Sequence, residues 1–231
     1  MKGVLDKKYA LKREKGGALK HRLRRRADEA IQAIRAFYPS PERILDLGTA
    51  EGRLLSRIKD EYPSTLCVGL EYSPELLGLG VALFHDLSFI RGDAQRMPFF
   101  KDASFDCIVA TAIIEHLDSP GEMLRESFRI LIPGGILILT TPHPFWESLA
   151  GRLGMIQGEH TSVMGFMALR AYCRDAGFQA LEEKGFMISP TGFPGERRME
   201  RLLRRLKIDR HLANQLIVLR KPGRGKIMER T

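Results

Sequence analysis

Apolar positions along the chain follow two patterns that take turns. Between Ala18 and Phe37 the residues Leu23, Ala27, Ala30, Ile31 and Ile34 recur at helical spacing, and the stretch YPSPE then breaks the helix. Four short, almost continuous apolar runs follow: RILDLG, TLCVGLE, LSFIRGD and FDCIVATA. A fifth, GILILTT, comes after the turn PGG, and helical stretches begin near Gly52, Pro74 and Pro120. Continuous apolar strands alternating with helices predict an α/β fold, a parallel sheet buried on both faces.

Beyond Thr141 the pattern changes. PHPFWESLAGRLGMIQGEHTSVMG is Gly-rich and without clear period, and is expected to be an irregular insertion over the sheet edge. FMALRAYCRDAGF restores a helix that closes at a Gly177 cap. QALEEKGFMI and NQLIVLRK are strand candidates, separated by the basic helix GERRMERLLRRL. The expected organisation is a basic helical cap (1–39), a core (40–142), an insertion or substrate flap (143–166), the rest of the same domain (167–221) and a basic tail (222–231).

Composition changes this picture little, and charge changes it more. At 231 residues one substantial core is expected. Cys67, Cys107 and Cys173 lie far apart and form no CxxC pair, and the first two sit in apolar runs, so buried free thiols are expected. No apolar run approaches the roughly 20 residues of a spanning helix. The first residues, MKGVLDKKYALKREKGG, lack the apolar segment of a secretory signal, so a cytoplasmic protein is the simplest expectation. Of the net charge of +9, residues 1–37 and 196–231 contribute +8 each, leaving −7 for the middle. An acidic middle suits a cationic small ligand, while the basic ends suit either an anionic partner or ordinary solvated helix faces.

The chemistry concentrates in RILDLGTAEGRLL. Gly48 and Gly52 let the backbone turn tightly where the first strand enters a helix, the place at which such sheets bind ligands. The spacing lacks the third glycine of a pyrophosphate cradle, and Asp46 would repel a pyrophosphate. A carboxylate there selects a ligand that carries an ammonium group.

ILDLGTAEGRLL, VGLEYSPELL, GDAQRMPF, FDCIVATAIIEHL and LIPGGILILTTP, in that order, resemble the class I S-adenosylmethionine-dependent methyltransferases, with Ala50 where the commoner pattern has glycine. The resemblance covers roughly residues 40–142, nearest to the bacterial small-molecule or quinone-type group. It implies a doubly wound, Rossmann-like, mainly parallel seven-stranded sheet with an antiparallel last strand. It also implies S-adenosylmethionine as cofactor. In that arrangement Gly48, Thr49, Ala50 and Gly52 pass the methionine portion and Asp46 faces its ammonium, directly or through water. Glu71, with Tyr72 beside it, accepts from the ribose hydroxyls. Asp93 and the Ala94 amide read the adenine, Met97 and Phe99 pack either near it or in the ordinary core, and Thr111 and Ala112 line the sulfonium end. The N-terminal helix, with Tyr9 and Lys12 ahead of it, is expected to close the pocket.

Methyl transfer to a hydroxyl needs a proton acceptor, and three histidines come into question. His116 is expected to be structural. His160 is the first candidate for a base or substrate contact, and His143 is either a base or a loop hydrogen-bonder. Related quinone O-methyltransferases carry an acid three residues before Glu115. Ala112 stands there, so Glu115 and His116 make an incomplete metal pair and no metal is expected. The insertion residues Phe145, Trp146, Met155, Ile156, Met164 and Phe166 suit either a flap over the core or a cap over a small or lipid-like methyl acceptor. The favoured function is O-methylation of such a molecule. One alternative is an RNA methyltransferase using the basic ends, although they hold few aromatics for base stacking. The other is a non-catalytic cofactor-binding module. Oligomeric state is open.

Overall fold

A computed structural model describes residues 17–152 and 164–223 of the chain. Its sheet has seven strands in the order β3-β2-β1-β4-β5-β7-β6. These are β1 (Arg43–Leu47), β2 (Leu66–Glu71), β3 (Ser88–Arg91), β4 (Phe105–Thr111), β5 (Leu131–Pro142), β6 (Gln179–Phe186) and β7 (Asn214–Arg220). The pairs among β1 to β5 are parallel, and β7 runs antiparallel to both β5 and β6. The expected doubly wound, mainly parallel sheet with an antiparallel last strand is what forms.

Successive strand residues face opposite layers, as the two-residue period requires. Ile44, Cys107, Ile136 and Leu216 enter a core with α1 (Gly17–Phe37) and α2 (Arg53–Glu61), through Ile31, Ile34, Leu55 and Ile58. Their neighbours Leu45, Ile108, Leu137 and Ile217 enter the opposite core, against α4 (Pro120–Ile130) and α6 (Phe166–Asp175). α3 (Pro74–Leu83) packs along β3 and β2. It begins at Ser73, whose hydroxyl accepts from the Leu76 amide, with Pro74 in the first turn. α6 ends as its sequence implies: Gly177 is left-handed (φ +95°) and its amide bonds back to Arg174 O at 2.9 Å. Cys67, Cys107 and Cys173 are buried free thiols. Burial pushes Cys67 up to about 11 and Cys173 up to about 12, so both stay protonated and act as core packing.

Two features differ from expectation. Within the insertion expected to be irregular, Pro144–Arg152 forms a helix, α5. Pro144 occupies its first turn, where a missing N–H costs nothing, and the Glu147 amide bonds to His143 O at 3.1 Å. Gly151, one of the glycines that obscured the period, lies in its last turn. Second, β5 begins at Leu131, ahead of the PGG turn, because Leu131 pairs with Phe105 across a bulge before Ile136 pairs with Cys107. The basic helix α7 (Glu196–Arg205) forms where the pattern places it, beginning at left-handed Gly195.

Candidate functional site at the carboxyl ends of the strands

The turn leaving β1 is held by β2. The amides of Gly48 and Thr49 both donate to Leu70 O, at 2.9 and 3.1 Å. Gly48 (φ +68°) and Gly52 (φ +84°) are left-handed, and so is Ala50 (φ 52°), where a side chain costs about 1–2 kcal/mol. One bond offsets that strain: the Ala50 amide donates to Glu71 Oε2 at 2.9 Å. Glu71 Oε1 accepts from the Ser73 amide at 2.7 Å, so one buried carboxylate joins the β1 turn to the start of α3. Gly69 in the middle of β2 makes room for this turn, since a Cβ there would lie 2.6 Å from Thr49 Cγ2. Asp46 is buried in β1, paired in register with Gly69 and Val109. Tyr72 is exposed beside Glu71.

The turn after β3 has its own clamp. Asp93 Oδ1 accepts from the Gln95 amide at 2.9 Å, and Gln95 Oε1 accepts from the Ser119 amide at 2.7 Å. Arg129, on α4, donates to the carbonyls of Met97 and Phe100, each at 2.9 Å, while Glu126 accepts the Met97 amide at 2.7 Å. The Arg129 guanidinium in turn holds the Glu126 carboxyl below the usual carboxylate range. Ala94 is buried. Met97 lies wholly in the hydrophobic core, so its place beside the ligand is not supported. Phe99 is half exposed and covers Gly92, where a Cβ would stand 2.7 Å from its ring. Reasoning from the sequence missed Arg129, Glu126 and Gln95. The i,i+3 spacing of Glu126 and Arg129 was the one available signal, and it does not tell a clamp from a surface pair.

The third wall comes from β4 and β5. Thr111 ends β4, and Ala112 is left-handed (φ 54°), its amide bonded to Thr140 O at 2.8 Å. That turn carries Ile113 over the β1 turn, where a Cβ on Gly48 would stand 2.8 Å from Ile113 Cδ1. Glu115 is buried and accepts from the Thr141 hydroxyl at 3.1 Å. Beyond β5, the His143 amide donates to Ala213 O at 2.9 Å, and His143 Nδ1 accepts from the Phe145 amide at 3.3 Å. Burial, with His211 as neighbour, lowers the His143 pKa below the ordinary imidazole value. Trp146 Nε1 donates to His211 O at 2.7 Å, tying α5 to the segment before β7. Tyr9, Lys12, Met155, Ile156, His160 and the end of the basic tail lie outside the described residues.

The carboxyl ends of β1, β2 and β4 and the turn after β3 thus carry Asp46, Glu71, Thr111 and Asp93 at the same edge of the sheet as the glycine turn. This set of acceptors fits S-adenosylmethionine: carboxylates for a ribose diol, an amine and an ammonium, beside a glycine turn. A family described as "Methyltransferase domain" matches residues 19–183, more than half of the chain. A demethylmenaquinone methyltransferase of Deinococcus radiodurans is 31% identical over 132 residues, covering 55% of this chain and 54% of that protein. Norajmaline N-methyltransferase of Rauvolfia serpentina is 33% identical over 139 residues, covering 54% and 47%. The chain thus spans about half the length of these curated relatives. Among solved structures, a chain of the Haloferax volcanii complex between the Trm112 methyltransferase activator and a methyltransferase superposes with a TM-score of 0.66. At 24% identity, over 93% of this chain and 97% of that one, it shares the fold. By family, fold and motif order, the chain belongs to the class I S-adenosylmethionine-dependent methyltransferases.

Proposed function

We propose that the chain transfers a methyl group from S-adenosylmethionine to an oxygen of a small or lipid-like acceptor. The observation that carries the cofactor half is the bond from the Ala50 amide to Glu71, which fixes the glycine turn against the ribose-reading carboxylate. When bound, the cofactor supplies an electrophilic methyl on a sulfonium, and the remaining work falls to this chain. Glu71 accepts from the ribose hydroxyls, with Tyr72 over that edge. Asp93 accepts from the adenine amine, and the Ala94 amide donates to the ring. Gly48, Thr49, Ala50 and Gly52 line the methionine portion, Asp46 supplies fixed negative charge for its ammonium, and Thr111 lies toward the sulfonium. These groups would fix the methyl donor; setting it in line with the acceptor and excluding water is most of what methyl transfer requires.

His160 is assigned as the base that removes the acceptor's proton. For His143, the Nδ1 contact to the Phe145 amide places the neutral ring's proton on Nε2, which favours a loop-holding acceptor over a base. The test is labelled-methyl transfer into a host extract, with mass identification of the product, followed by His160→Ala on that acceptor. Turnover is expected to fall about 10²–10⁴-fold with cofactor affinity retained. Wild-type turnover in the variant removes His160 as base, and labelled nitrogen or carbon in the product removes the oxygen assignment.

A further inference from the structure

The helix α7 is amphipathic in an inverted sense. Between residues 196 and 210 the acids are Glu196, Glu200 and Asp209, and all are buried. Each is consumed by the fold. Glu196 accepts the amides of Ile188 and Ser189 at 2.9 and 2.8 Å. Glu200 accepts the Met187 amide at 2.7 Å and pairs with Arg25 at 2.6 Å. Asp209 accepts the Gly185 amide at 3.1 Å. Burying acids inward leaves the apolar side chains outside. Met199, Leu202 and Leu206 are 47%, 54% and 59% exposed. They stand at i, i+3 and i+7, one stripe on the helix and its last turn. Arg198, Arg201 and Arg205 form a parallel row one residue earlier, exposed and without ion pairs among the described residues.

From this geometry we infer that the outer face of α7 is a docking surface for an anionic phospholipid bilayer. An exposed apolar stripe flanked by arginines is what an interfacial helix needs: side chains to enter the acyl boundary and cations to meet lipid phosphates. The surface continues toward the candidate site. Ile208 is 48% exposed after the helix. In the short turn that follows, His211 O holds Trp146, itself 43% exposed, a residue type suited to the membrane interface. Coverage by the chain's own first residues is disfavoured by charge, because 1–16 are also net basic. Nucleic acid fits less well, since the arginine row alternates with aliphatic side chains in place of stacking aromatics. Among the described residues no helix is long and apolar enough to cross a membrane, so the association inferred is peripheral. It does not depend on which acceptor is methylated.

The test is co-sedimentation of the full chain with vesicles of phosphatidylglycerol and phosphatidylcholine, against vesicles of phosphatidylcholine alone. Binding is expected to the anionic vesicles, at least about tenfold tighter, and to weaken as salt is raised. Arg201→Gln with Arg205→Gln should weaken it by about fivefold per arginine. Leu202→Ser with Leu206→Ser keeps the charge and, at exposed positions, the fold, and should weaken it at least as much. Failure to sediment with anionic vesicles at low salt overturns the inference. So does unchanged binding in the leucine variant, which would make the face a general polyanion surface. A duplex RNA that binds as tightly, and is equally indifferent to the leucines, would overturn it as well.

Discussion

Two buried carboxylates of this molecule, Glu71 and Glu200, sit in different company and are left with different capacity. At the carboxyl end of β2, Glu71 is held by the backbone amides of Ala50 and Ser73. On the flank formed by α1, β6 and α7, Glu200 meets the Arg25 guanidinium, and Glu29 meets Lys184 at 3.2 Å and Arg25 at 3.3 Å. A carboxylate offers about four lone-pair sites, so amides can fix its position while it still accepts from a ligand. A guanidinium takes the carboxylate face-on and spends its charge. Both arrangements tie elements together, but the first leaves lone pairs for a ligand at the candidate site and the second spends its charge on the fold. Burial even raises the Glu200 pKa despite Arg25, because lost hydration outweighs the attraction. That flank is therefore specific without being a large source of stability.

Removing one side of the flank should produce the largest effect. Arg25→Ala leaves Glu200 and Glu29 buried with less compensation, and breaking a buried pair from one side costs about 3–5 kcal/mol. Urea denaturation is expected to show a loss of that size, with cofactor affinity preserved at temperatures where the variant stays folded. Arg125→Ala, which breaks an exposed pair with Glu122, should leave the midpoint unmoved. A small effect from Arg25→Ala would mean that water reaches the flank.

Glu71→Ala should reverse the pattern. It removes the proposed ribose acceptor and leaves the Ala50 and Ser73 amides without their carboxylate, so calorimetry is expected to show about 1–3 kcal/mol weaker S-adenosylmethionine binding. Unchanged affinity would take Glu71 out of the site and leave it a purely structural acid. Arg129→Met is a milder version of the same experiment. Its bonds to Met97 O and Phe100 O set the loop beyond Asp93. About 1 kcal/mol, roughly fivefold in cofactor affinity, is expected, and competition with adenosine alone should show the same loss. If the loss vanishes with adenosine, the clamp acts elsewhere than on the adenine side.

The two regions also differ in how far the sequence exposes them. The succession of strands, the glycine turn and Asp46 lie within short local patterns, where period and turn chemistry are written in neighbouring residues, and Glu71 and Asp93 entered through the resemblance to the methyltransferase family. The strand-end positions of the candidate residues were therefore legible. The bonds that hold them were not: Arg129 sits 32 residues from Met97, and nothing local to either indicates the partner. Likewise α7 reads as a basic helix, but that it buries its acids and exposes its leucines follows from Arg25, 175 residues away from Glu200. The helix α5 was hidden for a local reason, since Gly151 and Gly154 obscured a period that Pro144 and Glu147 support. Period reports which residues could share a face, and tertiary partners choose the face.

The smallest expected effect concerns His143, where the strand-end site meets the acceptor side. Its folded pKa lies below the ordinary 6.5, first because burial removes water from the imidazolium and second because His211 stands opposite, ring centres 6.3 Å apart. The unfolded chain therefore binds the proton more readily than the folded one. Stability from this residue is complete above pH 6.5, falls as pH drops below that value, and stops falling beneath the folded pKa. His143→Gln keeps a polar side chain and removes the titration, so the wild-type melting temperature should decline more steeply than the variant's over that window. NMR titration of the ring should give a midpoint below 6.5. If His143 instead serves as the base for methyl transfer, the rate limb of the pH profile will follow the same midpoint and vanish in the variant. A loop-holding role leaves that limb in place, and a rate limb unaffected by His143→Gln would leave the proton to His160 or to an acceptor that has none to lose.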